Sequence, residues 1–95
     1  MQWIEIIHVR AFTEASKKDA LAAARELTLS HKPERLSDAK LWIRSDLSTD
    51  ISVILLWIEE SPQRPYSQVG LQLAEEFSDF GWVTHSMWQD AIYPV

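Results

Sequence analysis

Residues Ile51 to Glu59 read ISVILLWIE, the strongest strand pattern in the chain. Both of its alternating faces are apolar, which predicts a central strand covered on both sides. Just ahead of it, Ser48, Thr49 and Asp50 form a short polar break. Ala39 to Leu47 then reads as a second strand, joined to the first as a hairpin. Leu41, Ile43 and Leu47 alternate there against Trp42, Arg44 and Asp46, as expected of an edge strand with one wet face. Arg44 and Asp46 read as the solvated charges that guard such an edge.

Further out, Trp3 to Phe12 is rich in β-branched and aromatic residues and lacks glycine and proline, so it too is a strand. Ile4, Ile6, His8, Arg10 and Phe12 share one face, and Trp3, Glu5, Ile7, Val9 and Ala11 the other. Both faces are largely apolar, again a central position. Thr13 to Ser30 follows as a helix. Ser16 and Asp19 suggest its cap, and Ala20, Ala23, Ala24 and Leu27 form its apolar stripe. A stripe so rich in alanine lets a helix lie close to a sheet or leaves room beside it. Lys32 to Arg35 make a polar connection ending near Ser37.

Beyond the central strand, Pro62 and Pro65 mark a loop over Ser61 to Tyr66, and Ser67 is placed to cap a second helix. Val69, Leu73, Phe77 and Phe80 give that helix, Ser67 to Phe80, a bulky stripe, with Glu75, Glu76 and Asp79 outside. Gly81 is expected to end it in a left-handed conformation. Trp82 to Gln89 is a fourth strand, and Tyr93 to Val95 a tail. The order βαββαβ predicts an α+β, ferredoxin-like sandwich as a single domain over residues 1–95. Its antiparallel sheet runs 4-1-3-2 with both helices on one face, and the two strands apolar on both sides fall at the centre. Apolar residues on the uncovered face need a second cover, most simply a partner subunit.

Composition narrows the function. The 95 residues carry 14 acids against 9 bases, a formal charge of −5, with the bases scattered. Nucleic acid and anionic membranes want a basic patch, so neither is an expected partner. There is no cysteine, which removes disulfides, thiolate metal sites and a cysteine nucleophile. The N-terminus has no signal-peptide pattern, and the longest apolar run, Val53 to Ile58, is far below the roughly 20 residues of a membrane span. A soluble cytoplasmic protein is expected. Five tryptophans (Trp3, Trp42, Trp57, Trp82 and Trp88) are many for a small interior, so some are expected in a cleft or subunit interface.

Several families share this element order. RNA-recognition motifs need a basic, glycine-containing pattern with aromatics on strand three, absent from ISVILLWI. Metal-transport domains need CxxC, and acylphosphatases an asparagine; the chain has neither residue type. Amino-acid-sensing domains place a glycine turn after strand one, where Phe12 and Thr13 stand. With Leu55 to Ser61, LLWIEES, ending strand three on Trp57 and Glu59, the chain resembles the dimeric α/β-barrel superfamily, of the antibiotic-biosynthesis-monooxygenase type. The resemblance implies a homodimer whose sheets pack back to back and a ligand cavity between sheet and helices. Cofactor-free oxygenation and haem degradation are among the implied activities. Haem-degrading members use a polar residue on strand one, the strand-three tryptophan and a histidine on helix two. His8 stands near the first position and Trp57 at the second, but helix two has no histidine. No haem or other cofactor is therefore expected. The polyketide oxygenases point loosely to Arg64 and Tyr66.

Candidate residues follow. His8 and His85 lie on strands that neighbour each other and could meet, but the register is open and Glu5 lies on the opposite face from His8, so no metal site is expected. Glu5 itself is anomalous in a central strand. It is expected to pair with Arg10, Arg44 or a backbone donor, or else to line a cavity and move protons. Thr84, His85 and Ser86 are not a nucleophilic triplet, because His85 faces away from both hydroxyls. Glu75 and Glu76 are a solvated helix face, and His31 is expected to be exposed. The wall of a small apolar or aromatic ligand site is assigned to Trp57, His8, Glu5, His85 and Trp82, with no catalytic residue named. Trp82 and Trp88 are candidates for the dimer contact. The rival expectation is a non-enzymatic homodimer whose tryptophans fill core and interface.

Overall fold

A computed structural model of the chain describes residues 2–30, 33–58 and 66–94. His31, Lys32, Glu59, Ser61, Pro62, Arg64, Pro65 and Val95 lie outside the described residues. The elements are β1 (Gln2–Ala11), α1 (Glu14–Ser30), β2 (Leu36–Ile43), β3 (Asp50–Ile58), α2 (Gln68–Phe77) and β4 (Gly81–Gln89). They form one antiparallel sheet in the order β2-β3-β1-β4, the ferredoxin-like arrangement. All five tryptophans are on strands.

The two faces of the sheet differ as the alternation requires. Trp3, Glu5, Ile7 and Val9 of β1 and Ile51, Val53, Leu55 and Trp57 of β3 are buried beneath the helices. The apolar ones pack with Ala20, Ala24 and Leu27 of α1 and with Val69, Leu73 and Phe77 of α2. The other face carries Ile4, Ile6, Ile54 and Leu56, each only partly buried, with Trp42, Trp82 and Trp88 at 55, 69 and 59% exposure. Removing apolar surface from water is worth roughly 25 cal/mol per Å², so this bare face is the main burial still open to the chain.

Local chemistry explains three departures from expectation. First, β2 begins three residues early, because Leu36 is buried opposite Trp57 and a bulge between Leu36 and Asp38 restores the alternation. Second, α1 is capped by Thr13 rather than Ser16: the Thr13 hydroxyl accepts from the Ser16 amide at 3.0 Å. Third, α2 stops at Phe77 and Gly81 has no left-handed conformation. Gly81 is instead the first residue of β4, paired with Ala11, and a methyl group there would overlap the carbonyl of Arg10. Backbone proximity, not backbone freedom, requires glycine at that corner.

Asp50 is the buried charge that anchors the hairpin. It opens β3 on the bare face yet is only 1% exposed. Arg10 donates to it through Nε and Nη2 at 2.9 and 3.2 Å, Arg44 at 3.4 Å and His8 through Nε2 at 3.0 Å. The Arg10 hydrogen bonds hold its carboxyl below the ordinary value of 3.8, with His8 adding to them, against the opposing effect of burial. A depressed folded pKa stabilises the protein above pH 3.8, and that contribution fades as pH falls through the folded value. Asp50→Asn is therefore expected to cost about 1–3 kcal/mol at neutral pH, as loss of charge-assisted hydrogen bonds does. Urea unfolding across the acid range should show the variant and wild-type curves converging as Asp50 protonates.

Candidate functional site

Among the described residues the helix-facing side of the sheet holds one buried carboxylate, Glu5, at the middle of β1 and 0% exposed. A buried carboxylate is tolerated only when donors surround it, and here three other elements supply them. Trp57 of β3 donates its indole N–H to Oε1 at 3.1 Å. Ser67, the N-cap of α2, donates its hydroxyl to the same oxygen at 2.5 Å while accepting from the Gly70 amide at 2.9 Å. His85 of β4 donates through Nε2 to Oε2 at 2.6 Å. Glu5 thus lies against the first turn of α2, where the helix dipole favours negative charge.

Gly70 makes this approach feasible. A methyl group at position 70 would overlap Oε2 and the carboxyl carbon of Glu5. Together with Gly81 it accounts for both glycines of the chain, each demanded by a neighbour's proximity.

Two aromatic pairs flank the carboxylate. Trp3 stacks on Trp57 with centroids 5.6 Å apart and planes at 16°. Tyr66 stacks on the His85 imidazole at 3.7 Å and 18°, and its hydroxyl donates to the His85 carbonyl at 3.0 Å. With Nε2 directed at Glu5, the Nδ1 atom of His85 makes no hydrogen bond among the described residues. A carboxylate that orients an imidazole in this way fixes its tautomer and leaves the other nitrogen as a base. Trp3 Nε1 is also buried and makes no hydrogen bond among the described residues. An unsatisfied buried donor costs about 1–3 kcal/mol.

The five residues assigned to one ligand wall do not surround one space. Glu5, Trp57 and His85 meet; His8 and Trp82 lie on the opposite face. His8 pairs laterally with Thr84, and His85 with Ile7, so the two imidazoles point to opposite sides of the sheet. His8 bonds Asp50, and with Nε2 donating there, its Nδ1 accepts from the Thr84 hydroxyl at 3.3 Å. Glu5 is paired, but not with Arg10 or Arg44, which belong to Asp50 and Asp46. The polar strand-one residue beside Trp57 is accordingly Glu5 and not His8. Trp82 packs edge-on against Phe12, and Trp88 donates to Ser86 at 2.9 Å; both sit on the bare face of the edge strand. Among the described residues no group of three or more acidic or histidine side chains could hold a metal, and no helix is long and apolar enough to cross a membrane.

Sequence reasoning missed Ser67 as a Glu5 donor and Tyr66 as the ring covering His85. The signal for Ser67 was its capping position, since a cap hydroxyl facing a sheet can serve a second acceptor.

No protein-family model matches the sequence, and no curated protein sequence does. Solved structures do match. SnoaB, a cofactor-independent oxygenase from Streptomyces nogalater, superposes with a TM-score of 0.62 at 10% identity, covering 97% of this chain and 95% of its own. A candidate antibiotic biosynthesis monooxygenase from Bordetella bronchiseptica gives 0.63 at 11% identity, covering 96% and 98%. The chain has the same ferredoxin-like fold as these two proteins. A conserved protein of unknown function from Bacteroides thetaiotaomicron shares it as well, with a TM-score of 0.68 at 15% identity over 92% and 95% of the two chains.

The packing of Gly70 against Glu5 gives a direct check. In a free helix Gly→Ala stabilises by about 1 kcal/mol. Here Gly70→Ala is expected to destabilise instead, by about 1–3 kcal/mol, the range for overpacking a core. Thermal unfolding reads the sign, and the His85 ring resonances in NMR should shift as Glu5 is displaced.

Proposed function

We propose that this protein binds a small apolar or aromatic molecule on the helix-facing side of its sheet and oxidises it with molecular oxygen, without a cofactor. The observation that carries the reading is the Glu5–His85 dyad, buried beside Trp57 with one imidazole nitrogen unoccupied among the described residues. In this reaction His85 takes a proton from a ring CH2 made acidic by a carbonyl conjugated with it through the ring system. The carbanion reduces oxygen and bonds to it, giving a hydroperoxide once the proton returns. Loss of water then leaves a carbonyl where the CH2 stood, so one oxygen atom is retained and the other leaves as water. Glu5 holds the imidazole in place and balances the charge His85 acquires. The fold shared with a cofactor-independent oxygenase supports the assignment.

Oxygen uptake with dithranol, whose central ring CH2 is activated in this way, is the test. Wild-type protein should raise uptake above the spontaneous rate, and His85→Ala should lower the catalysed part by about a hundredfold, the usual scale for a general base. Uptake that is no faster than spontaneous, or that His85→Ala leaves intact, would remove the assignment.

The bare sheet face favours a second element of the proposal, a homodimer formed by two such faces. Ile4, Ile6, Ile54 and Leu56 with Trp42, Trp82 and Trp88 supply the apolar surface that a second copy would cover. Should no oxidation be found, this contact is what remains as the protein's role, a non-enzymatic structural dimer. Light scattering is expected to give twice the 11.0 kDa chain mass, and Leu56→Asp to give the monomer. A monomeric wild type would contradict the dimer under either role.

A further inference from the structure

We propose that the indole N–H of Trp3 anchors the bound molecule through an acceptor oxygen, making the site selective for aromatic ketones and related oxygen-bearing rings. This rests on the reading of the Glu5–His85 region as a small-molecule site and names the chemistry of its ligand. Trp3 is 1% exposed and lies two residues from Glu5 on the same face of β1, about 7 Å along the strand.

Apart from Nδ1 of His85, the other polar groups of this region are satisfied among the described residues. Trp57 uses its N–H on Glu5, Ser67 bridges Glu5 and the Gly70 amide, and Tyr66 reaches the His85 carbonyl. Of the buried side-chain polar atoms among the described residues, Trp3 Nε1 is the one without a partner. The unpaired donor belongs to the ring stacked on Trp57, so two near-parallel indoles stand side by side with one N–H committed and one free. Buried donors left without a partner are rare and mark an absent water, ion or ligand, or a functional role.

The position suits a carbonyl group. An oxygen held by Trp3 keeps the attached ring against the aromatic surfaces that flank Glu5. When a proton leaves the carbon beside that carbonyl, negative charge develops on the oxygen, and a fixed N–H stabilises it more than it stabilises the neutral ketone. Trp3 then serves binding and proton removal together, while His85 receives the proton.

Tetralone and tetralin, the same rings with and without a carbonyl, separate this from general apolar binding. Each is titrated into the wild-type protein while NMR follows the indole N–H resonances. Tetralone is expected to bind about tenfold more tightly than tetralin, the scale of one hydrogen bond. The Trp3 resonance should move downfield with tetralone alone, and Trp3→Phe should abolish the preference. Equal affinities, an unmoved Trp3 resonance or a preference that survives in Trp3→Phe would overturn the assignment and leave the N–H to a structural water. If Trp3→Phe does not fold, the wild-type resonance decides. Binding of neither probe would remove the small-molecule reading itself, whereas equal binding of both removes only the role of Trp3.

Discussion

A single ionisable group, buried where a sheet normally holds only hydrocarbon, sets the terms for the rest of this structure. Glu5 lies at the centre of β1 and is reached by side chains from β3, α2 and β4. Without those donors its burial would cost several kcal/mol. The constraint propagates outward. Ser67 must be the helix cap so that its hydroxyl faces the sheet, Gly70 must lack a side chain, and β4 must pair in the register that brings His85 over Glu5. A shift of that register by one residue would put His85 on the bare face and Thr84 or Ser86 beneath the helices.

The opposite face repeats the device with different partners. Asp50 is buried there by Arg10, Arg44 and His8. Each carboxylate has one histidine, and the sheet lies between the two pairs, so neither histidine can serve the other's partner. The difference lies in the charges. Asp50 is surrounded by permanent cations, which hold it ionised and make it a structural anchor. Among the described residues Glu5 meets two neutral donors and one imidazole. That contrast, more than either residue type, separates the candidate site from the scaffold.

Two aromatic stacks give the Glu5 region its character. Trp3 on Trp57 and Tyr66 on His85 enclose the carboxylate with planar surfaces. The proposed ligand, a flat molecule with an acidic C–H, matches such planar surfaces better than a sugar or a peptide, which would need many polar partners. The bare face, with its three exposed tryptophans, is chemically separate and offers area rather than chemistry.

Much of this was legible in one dimension. Period-two alternation in ISVILLWIE and in Trp3 to Phe12 placed both strands at the centre of the sheet, and the stripe at Val69, Leu73 and Phe77 gave α2 its buried side. The anomaly of Glu5 was visible too, because a carboxylate inside an apolar alternation is conspicuous wherever the strand goes. Its partners were not visible. Trp57, Ser67 and His85 lie 52, 62 and 80 residues away, and nothing local encodes which of two registers joins β1 to β4. Periodicity assigns a residue to a face because that depends only on its own backbone; a hydrogen bond depends on two backbones and the offset between them. The sequence therefore determined the element order, the faces and the need to pair Glu5. Only the tertiary structure decided that His85 meets that need, and that His8, one strand residue out of phase with Glu5, belongs to Asp50 on the other side.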